Sequence, residues 1–142
     1  MKKPYLLIIT AILYLVLTGC MSLAKDSDVD TIEALKQAVK MNPDNADVHS
    51  NLGAAYGESK EAIEAFKQAI KIKPDNADAH ANLGEAYHES FMYKEAIEAF
   101  KQATRINPDY ADAHFGLGVV YGESGKYKEA IDAYKQAIRI II

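Results

Sequence analysis

The chain has one cysteine, Cys20, so no intramolecular disulfide can form within it. Basic residues are in the minority. Sixteen Lys and Arg against twenty Asp and Glu give a formal net charge of -4, the wrong sign for the basic stripe that nucleic-acid binders display. There is no HExxH pair, no P-loop and no glycine-rich dinucleotide turn. Serines, histidines and aspartates occur, but always within a repeating helical pattern where capping or packing accounts for them, so no nucleophile–base set points to an enzyme. The apolar run Tyr5 to Leu17 is thirteen residues, short of a comfortable bilayer span. What remains is a charged fraction of 25% and a hydrophobic fraction of 49% over 142 residues, the composition of one folded domain.

The first residues have a different character from the rest. A basic start, Met1-Lys2-Lys3, leads into the apolar run, which ends in Leu17-Thr18-Gly19-Cys20. This tetrapeptide resembles the lipobox of bacterial lipoproteins. The resemblance implies that residues 1–19 are a signal peptide, that Cys20 is acylated (palmitate among its chains), and that residues 20–27 are a tether. Two or three acyl chains at ~0.8 kcal/mol per buried methylene would make the attachment effectively permanent. It also implies a lipid-anchored protein of the bacterial envelope. Met21 and Ser22 follow the cysteine where an Asp would signal inner-membrane retention, so in a Gram-negative source the outer membrane, facing the periplasm, is expected.

Beyond the tether the sequence repeats itself. ADVHSNLGAAYGES from Ala46, ADAHANLGEAYHES from Ala77 and ADAHFGLGVVYGES from Ala111 are each followed by a stretch like KEAIEAFKQAIKIKP. A half-repeat, TIEALKQAVKMNP, precedes them and ends at Pro43. In the second stretch of the first unit, Ala62, Ile63, Phe66, Ala69 and Ile70 recur at three- and four-residue steps, with charged residues on the other side, the period of an amphipathic helix. Pro43, Pro74 and Pro108 stop one helix, and the following Asp44, Asp75 and Asp109 are expected to cap the next; Ser27 is expected to cap the half-repeat.

Leu52-Gly53-x-x-Tyr56 with Ala62, Phe66, Ala69 and Pro74 is similar to the tetratricopeptide signature. So are Leu83-Gly84-x-x-Tyr87 with Ala96, Phe100, Ala103 and Pro108, and Leu117-Gly118-x-x-Tyr121 with Ala130, Tyr134 and Ala137. The resemblance implies an all-α fold: a right-handed α-solenoid of antiparallel helix pairs over residues 28–142. It divides into a half-repeat helix at 28–43 and three hairpins at 46–76, 77–110 and 111–142. Small residues let the helices of a pair approach, large ones fill the space between units, and no unit buries its apolar face alone.

Two departures stand out. The first hairpin lacks three residues between Tyr56 and Ala62, where the others carry Phe91-Met92-Tyr93 and Gly125-Lys126-Tyr127. Gly57 can end its first helix and keep a tight hairpin; the competing outcome is one helix from Asn45 to Lys71. This unit is expected to be the least stable. The second departure is Ile138-Arg139-Ile140-Ile141-Ile142, an apolar cluster that suggests a truncated chain, a homodimer seam or a docking surface.

His49, His80 and His114 recur once per unit. A metal cluster is conceivable, but one-repeat spacing sets them on successive layers, and a half-buried packing role is expected; no metal or other cofactor is implied. His88 stands alone and reads as a surface residue. The first helices contain no Lys or Arg, while the second helices hold the basic residues. By resemblance, first helices line the groove of such arrays, so that groove should be acidic and its ligand a basic or neutral protein or peptide segment. The candidate contacts are Asn51 and Asn82, whose amides can both donate to and accept from an extended backbone, Glu85, Glu89 and Glu123 for steering, and Phe115 as an aromatic contact where the third unit breaks the asparagine series with Gly116. Local interhelix bonding is the alternative for the asparagines, and a solvated face for Glu85 and Glu89. The function implied is a membrane-anchored scaffold in envelope or surface-structure assembly. A self-assembling structural protein and a regulatory subunit of an enzyme complex remain the alternatives.

Overall fold

The computed structural model describes residues 28–142. Cys20, the expected signal segment 1–19, the tether and Ser27 lie outside the described residues. Seven helices and no strands occur among the described residues. They are α1 (28–41), α2 (Ala46–Tyr56), α3 (Lys60–Ile72), α4 (Ala77–Glu89), α5 (Tyr93–Ile106), α6 (Ala111–Glu123) and α7 (Tyr127–Ile141). Helices α2–α3, α4–α5 and α6–α7 form three hairpins, and α3 packs on α4 and α5 on α6, so the hairpins stack into an α-solenoid.

The two helices of each hairpin differ for a physical reason. Helices α3, α5 and α7 face the array with one stripe only, and their sequences put charge everywhere else. Helix α4 touches α3, α5 and α6, so its exposed side is narrow and small residues (Ala79, Ala81, Gly84, Ala86) occupy its contacts. Ala62, Ala69, Ala96 and Ala103 are fully buried where the helices meet. Two clusters form the core. In one, Ala62, Ile63 and Phe66 meet Leu83, Ala86 and Ala99; in the other, Ile97 and Phe100 meet Leu117, Val120 and Ala133.

The aromatic of each second helix lies over the glycine of its own first helix. A Cβ on Gly53 would come within 2.7 Å of the Phe66 ring, one on Gly84 within 2.9 Å of Phe100, and one on Gly118 within 2.5 Å of Tyr134. Gly116 is different: its missing Cβ would lie 2.5 Å from Cζ of Phe100, an aromatic of the preceding hairpin. The break in the asparagine series therefore makes room for the tip of that ring.

Helix starts correct one expectation. The caps are Asn45 and Asn76, one residue after the aspartates: Asn45 Oδ1 accepts from Asp47 N (3.0 Å) and Val48 N (3.3 Å), and Asn76 Oδ1 from Ala79 N (3.1 Å). Both asparagines are extended, as an N-cap requires, whereas the aspartates sit earlier, within the turn. In the third unit the position is Tyr110, with no side-chain cap bond.

The shortened first hairpin is a hairpin. Gly57 ends α2 at φ 60°, ψ -133°, and its N–H donates to Ala54 O; Ser59 then caps α3 by accepting from Ala62 N at 3.2 Å. An L side chain is strained at that backbone conformation by ~1–3 kcal/mol. Gly57→Ala should therefore lower Tm in thermal circular dichroism. Gly122→Ala, at a helical position with open space around it, should raise Tm by removing ~0.5–1 kcal/mol of helix penalty. Equal melting of both variants would contradict this account of the turn. The corresponding turn in the second hairpin uses Phe91 at φ 58°, where the third uses Gly125 at φ 76°. Phe91 tolerates a conformation that favours glycine while remaining 78% exposed.

Candidate functional site

Helices α2, α4 and α6 line one side of the array, and two adjoining hollows run along it. The larger, of about 430 Å³, is lined among others by Asn82, Glu85 and His88 of α4, the Phe100 ring of α5, Tyr110, and Asp112, Phe115 and Gly116 of α6. The smaller, of about 340 Å³, is lined among others by Ala54 and Glu58 at the end of α2, by Phe66, and by Asn82, Glu85 and Glu89. Asn82 and Glu85 line both, so the two hollows adjoin across this shared wall and together mark a groove along α2, α4 and α6.

The electrostatics of this groove are one-sided. No Lys or Arg occurs in α2, α4 or α6. Burial, with Glu58 and Glu85 nearby, holds the Glu89 carboxyl above its ordinary pKa, and His88 opposes that. Tyr110 is pushed up to about 12 by burial and by its hydrogen bond to Asp78, so it remains a neutral phenol at any physiological pH. Carboxylates crowded along an aromatic floor favour a cation there: each carboxylate can accept charge-assisted hydrogen bonds, and the rings offer flat apolar contact.

Of the sequence-derived candidates, Asn82, Glu85, Glu89 and Phe115 line the groove; Phe115 is 58% exposed and its ring centroid lies 5.5 Å from that of Tyr134. Asn51 is exposed on α2 and lines neither hollow. Glu123 likewise lines neither hollow; its Oε2 is 2.8 Å from Nε2 of His88, which does. Desolvation, together with the nearby Glu123 carboxylate, raises the pKa of Tyr93. His88 is thus no lone surface residue: it joins α4 to α6 and lines the groove. The sequence offers no signal for this pair, because its members are separated by a full repeat.

The recurring histidines do a structural task that the sequence reading missed. Nε2 of His49, His80 and His114 lies 3.0, 3.0 and 2.9 Å from the carbonyl oxygens of Pro43, Pro74 and Pro108. A carbonyl only accepts, so each Nε2 carries the proton and donates it. Each histidine ties the first turn of its helix back to the proline turn before it. The constant spacing of six from proline to histidine was the available clue. Among the described residues no group of three His, Cys, Asp or Glu is placed to hold a metal ion.

Comparison with known proteins agrees with this architecture. The family described as "TPR repeat" matches residues 30–59, 57–90 and 92–125, and that described as "Tetratricopeptide repeat" matches 111–141. A crystal structure of MamA is 30% identical, covering 86% of this chain and 73% of that one, with a TM-score of 0.76. A second MamA structure is 31% identical over 80% of this chain and 63% of that chain, with a TM-score of 0.74. A third, MamA AMB-1, is 26% identical over 84% and 67%, with a TM-score of 0.70. Among curated proteins no sequence matches.

Proposed function

We infer, from a chain that belongs to the tetratricopeptide-repeat family, that it is a protein-binding scaffold whose acidic groove along α2, α4 and α6 holds an extended, basic segment of a partner. The observation that carries this reading is the one-signed charge of two adjoining hollows: they share Asn82 and Glu85 and are lined by Glu58, Glu89 and Asp112 without a lysine or arginine. An extended chain laid along it would meet the Asn82 amide, which bonds backbone regardless of side chain at ~0.5–1.5 kcal/mol net. A lysine or arginine side chain entering the larger hollow would rest on Phe115 and Phe100 and reach Glu85 or Asp112. At the membrane, an acylated Cys20 would concentrate the scaffold on one face of the envelope and raise the effective concentration of partners there. Its place would then be envelope or surface-structure assembly.

The test uses a fluorescent extended peptide of alternating lysine and alanine, with its glutamate counterpart as control, against the full chain. The lysine peptide should bind and weaken as salt is raised, because exposed carboxylates are screened. Equal binding of the glutamate peptide, or binding indifferent to salt, would remove the groove's charge from the account.

A further inference from the structure

Phe91 is held at a backbone angle that glycine would take without strain, and its ring stays largely uncovered. The turns of the second and third hairpins are closed by the same two bonds. Phe91 N donates to His88 O (2.9 Å) and Met92 N to Tyr87 O (2.9 Å); Gly125 N donates to Gly122 O (3.1 Å) and Lys126 N to Tyr121 O (2.8 Å). A helix end of this kind calls for a left-handed residue, usually glycine. Gly125 fills the place at φ 76°, Phe91 at φ 58°. The Phe91 ring meets Tyr93 edge-on, with centroids 6.4 Å apart, yet Phe91 is 78% exposed and Met92 beside it 38%. Their hairpin has another on either side, so this is not the bare end of the array. Strain held at an exposed aromatic points to something outside the fold.

The direction of the chain says what that is. The turn from α1 to α2 repeats the bonds of the turn from α3 to α4. Asn45 N donates to Asn42 O and His49 Nε2 to Pro43 O, as Asn76 N does to Lys73 O and His80 Nε2 to Pro74 O. Helix α1 therefore runs antiparallel to α2, and its first residue, Asp28, lies at the same end of the array as the hairpin turns at 57–59, 90–92 and 124–126. The eight residues from Cys20 to Ser27 reach at most ~26–29 Å. Exposed Lys60, Lys94 and Lys126 stand among exposed Glu58, Glu89 and Glu123 along this edge, a mixture that suits a zwitterionic bilayer better than a partner of one sign. On the footing of an acylated Cys20, we propose that the hairpin-turn edge of the array lies on the lipid bilayer, with Phe91 and Met92 inserted at the level of the headgroups. The acyl chains hold the protein at the surface, and this turn sets how it stands there. The helices then rise from the bilayer, with the proline turns at the far end.

The chain has no tryptophan, so a single introduced indole reports alone. The acylated chain, purified from membranes, is incorporated into phosphatidylcholine vesicles with plain or brominated acyl chains, carrying Phe91→Trp or Asp75→Trp. Asp75 is exposed beyond the opposite end of α3, a helix of 13 residues and so ~20 Å long. Emission from Phe91→Trp should shift to the blue on incorporation and be quenched by the brominated lipid; that from Asp75→Trp should do neither. Phe91→Gly, relieved of the strained backbone, should leave Tm unchanged or higher. Quenching no greater at 91 than at 75, in protein that floats with the vesicles, would overturn the proposal and leave the anchor standing. Protein that does not float would remove the anchor and the proposal with it. A lower Tm for Phe91→Gly would assign the ring to the folding of its own turn. A benzophenone amino acid at 91 that crosslinks a protein rather than phospholipid in cells would give the edge to a protein partner.

Discussion

Phe100→Ala should cost ~3–5 kcal/mol and lower Tm by ~10–20 °C, the largest stability loss of any single truncation in the array. The ring is 6% exposed and spans two glycines, with Cγ 2.9 Å from where a Cβ on Gly84 would lie and Cζ 2.5 Å from one on Gly116. Two helices approach over it, and neither has a side chain that can swing in to fill the void. A solenoid holds each unit only through its neighbours, so a cavity at α4–α5–α6 loosens the middle of the stack. Against a total stability of ~5–15 kcal/mol for a domain, that loss is severe. Phe115→Ala supplies the contrast. The ring is 58% exposed, so its removal should change stability by less than ~0.5 kcal/mol and register in binding instead. Comparable melting of the two variants would mean that Phe100 does not hold the hairpins together.

Much of this was legible in the sequence. The Leu-Gly-x-x-Tyr pattern and the apolar stripes of the second helices locate seven helices and pair them, because burying a stripe leaves little choice of partner. Gly57 also showed where the first hairpin can turn, since φ 60° combined with ψ -133° is a conformation that only glycine adopts with ease. Contacts between units were less legible. His88 and Glu123 meet across two helices at a distance in sequence that no local period reports. Gly116 looked like a lapse in the asparagine series until the Phe100 tip was seen against it. The capping asparagines were displaced by one residue, because Asn and Asp both suit an N-cap and only the backbone angles decide between neighbours. Asn51 and Asn82 look equivalent in the repeat, yet only Asn82 lines the groove: the hairpin carrying Asn82 has another on either side, and only the half-repeat helix α1 precedes the one carrying Asn51.

The second large effect is on binding. Reversing two groove carboxylates together, Glu85→Lys with Glu89→Lys, should abolish capture of a basic segment while leaving the fold intact. Both residues are exposed, so neither substitution buries a charge. Desolvation, Glu58 and Glu85 hold Glu89 above its ordinary pKa; in the double variant a lysine at 89 meets Glu58 as an opposite charge, while the like-charge pair at 85 and 89 persists with the other sign, so stability should change little. For the ligand the change is from attraction to repulsion at the shared wall of both hollows. Loss of two charge-assisted contacts at ~1.5–3 kcal/mol each weakens binding by more than about a hundredfold, and like-charge repulsion adds to it.

Site-specific photo-crosslinking in living cells tests the groove most directly. A benzophenone amino acid in place of Phe115 puts a reactive group at the mouth of the larger hollow, and one in place of Gln68, exposed on α3 and outside the groove, serves as the reference. Irradiation should give a discrete crosslinked partner from position 115, absent from position 68 and lost when Glu85→Lys and Glu89→Lys are added. A crosslink at position 115 that survives the charge reversal, or one that forms equally from position 68, would contradict an acidic groove as the site of capture.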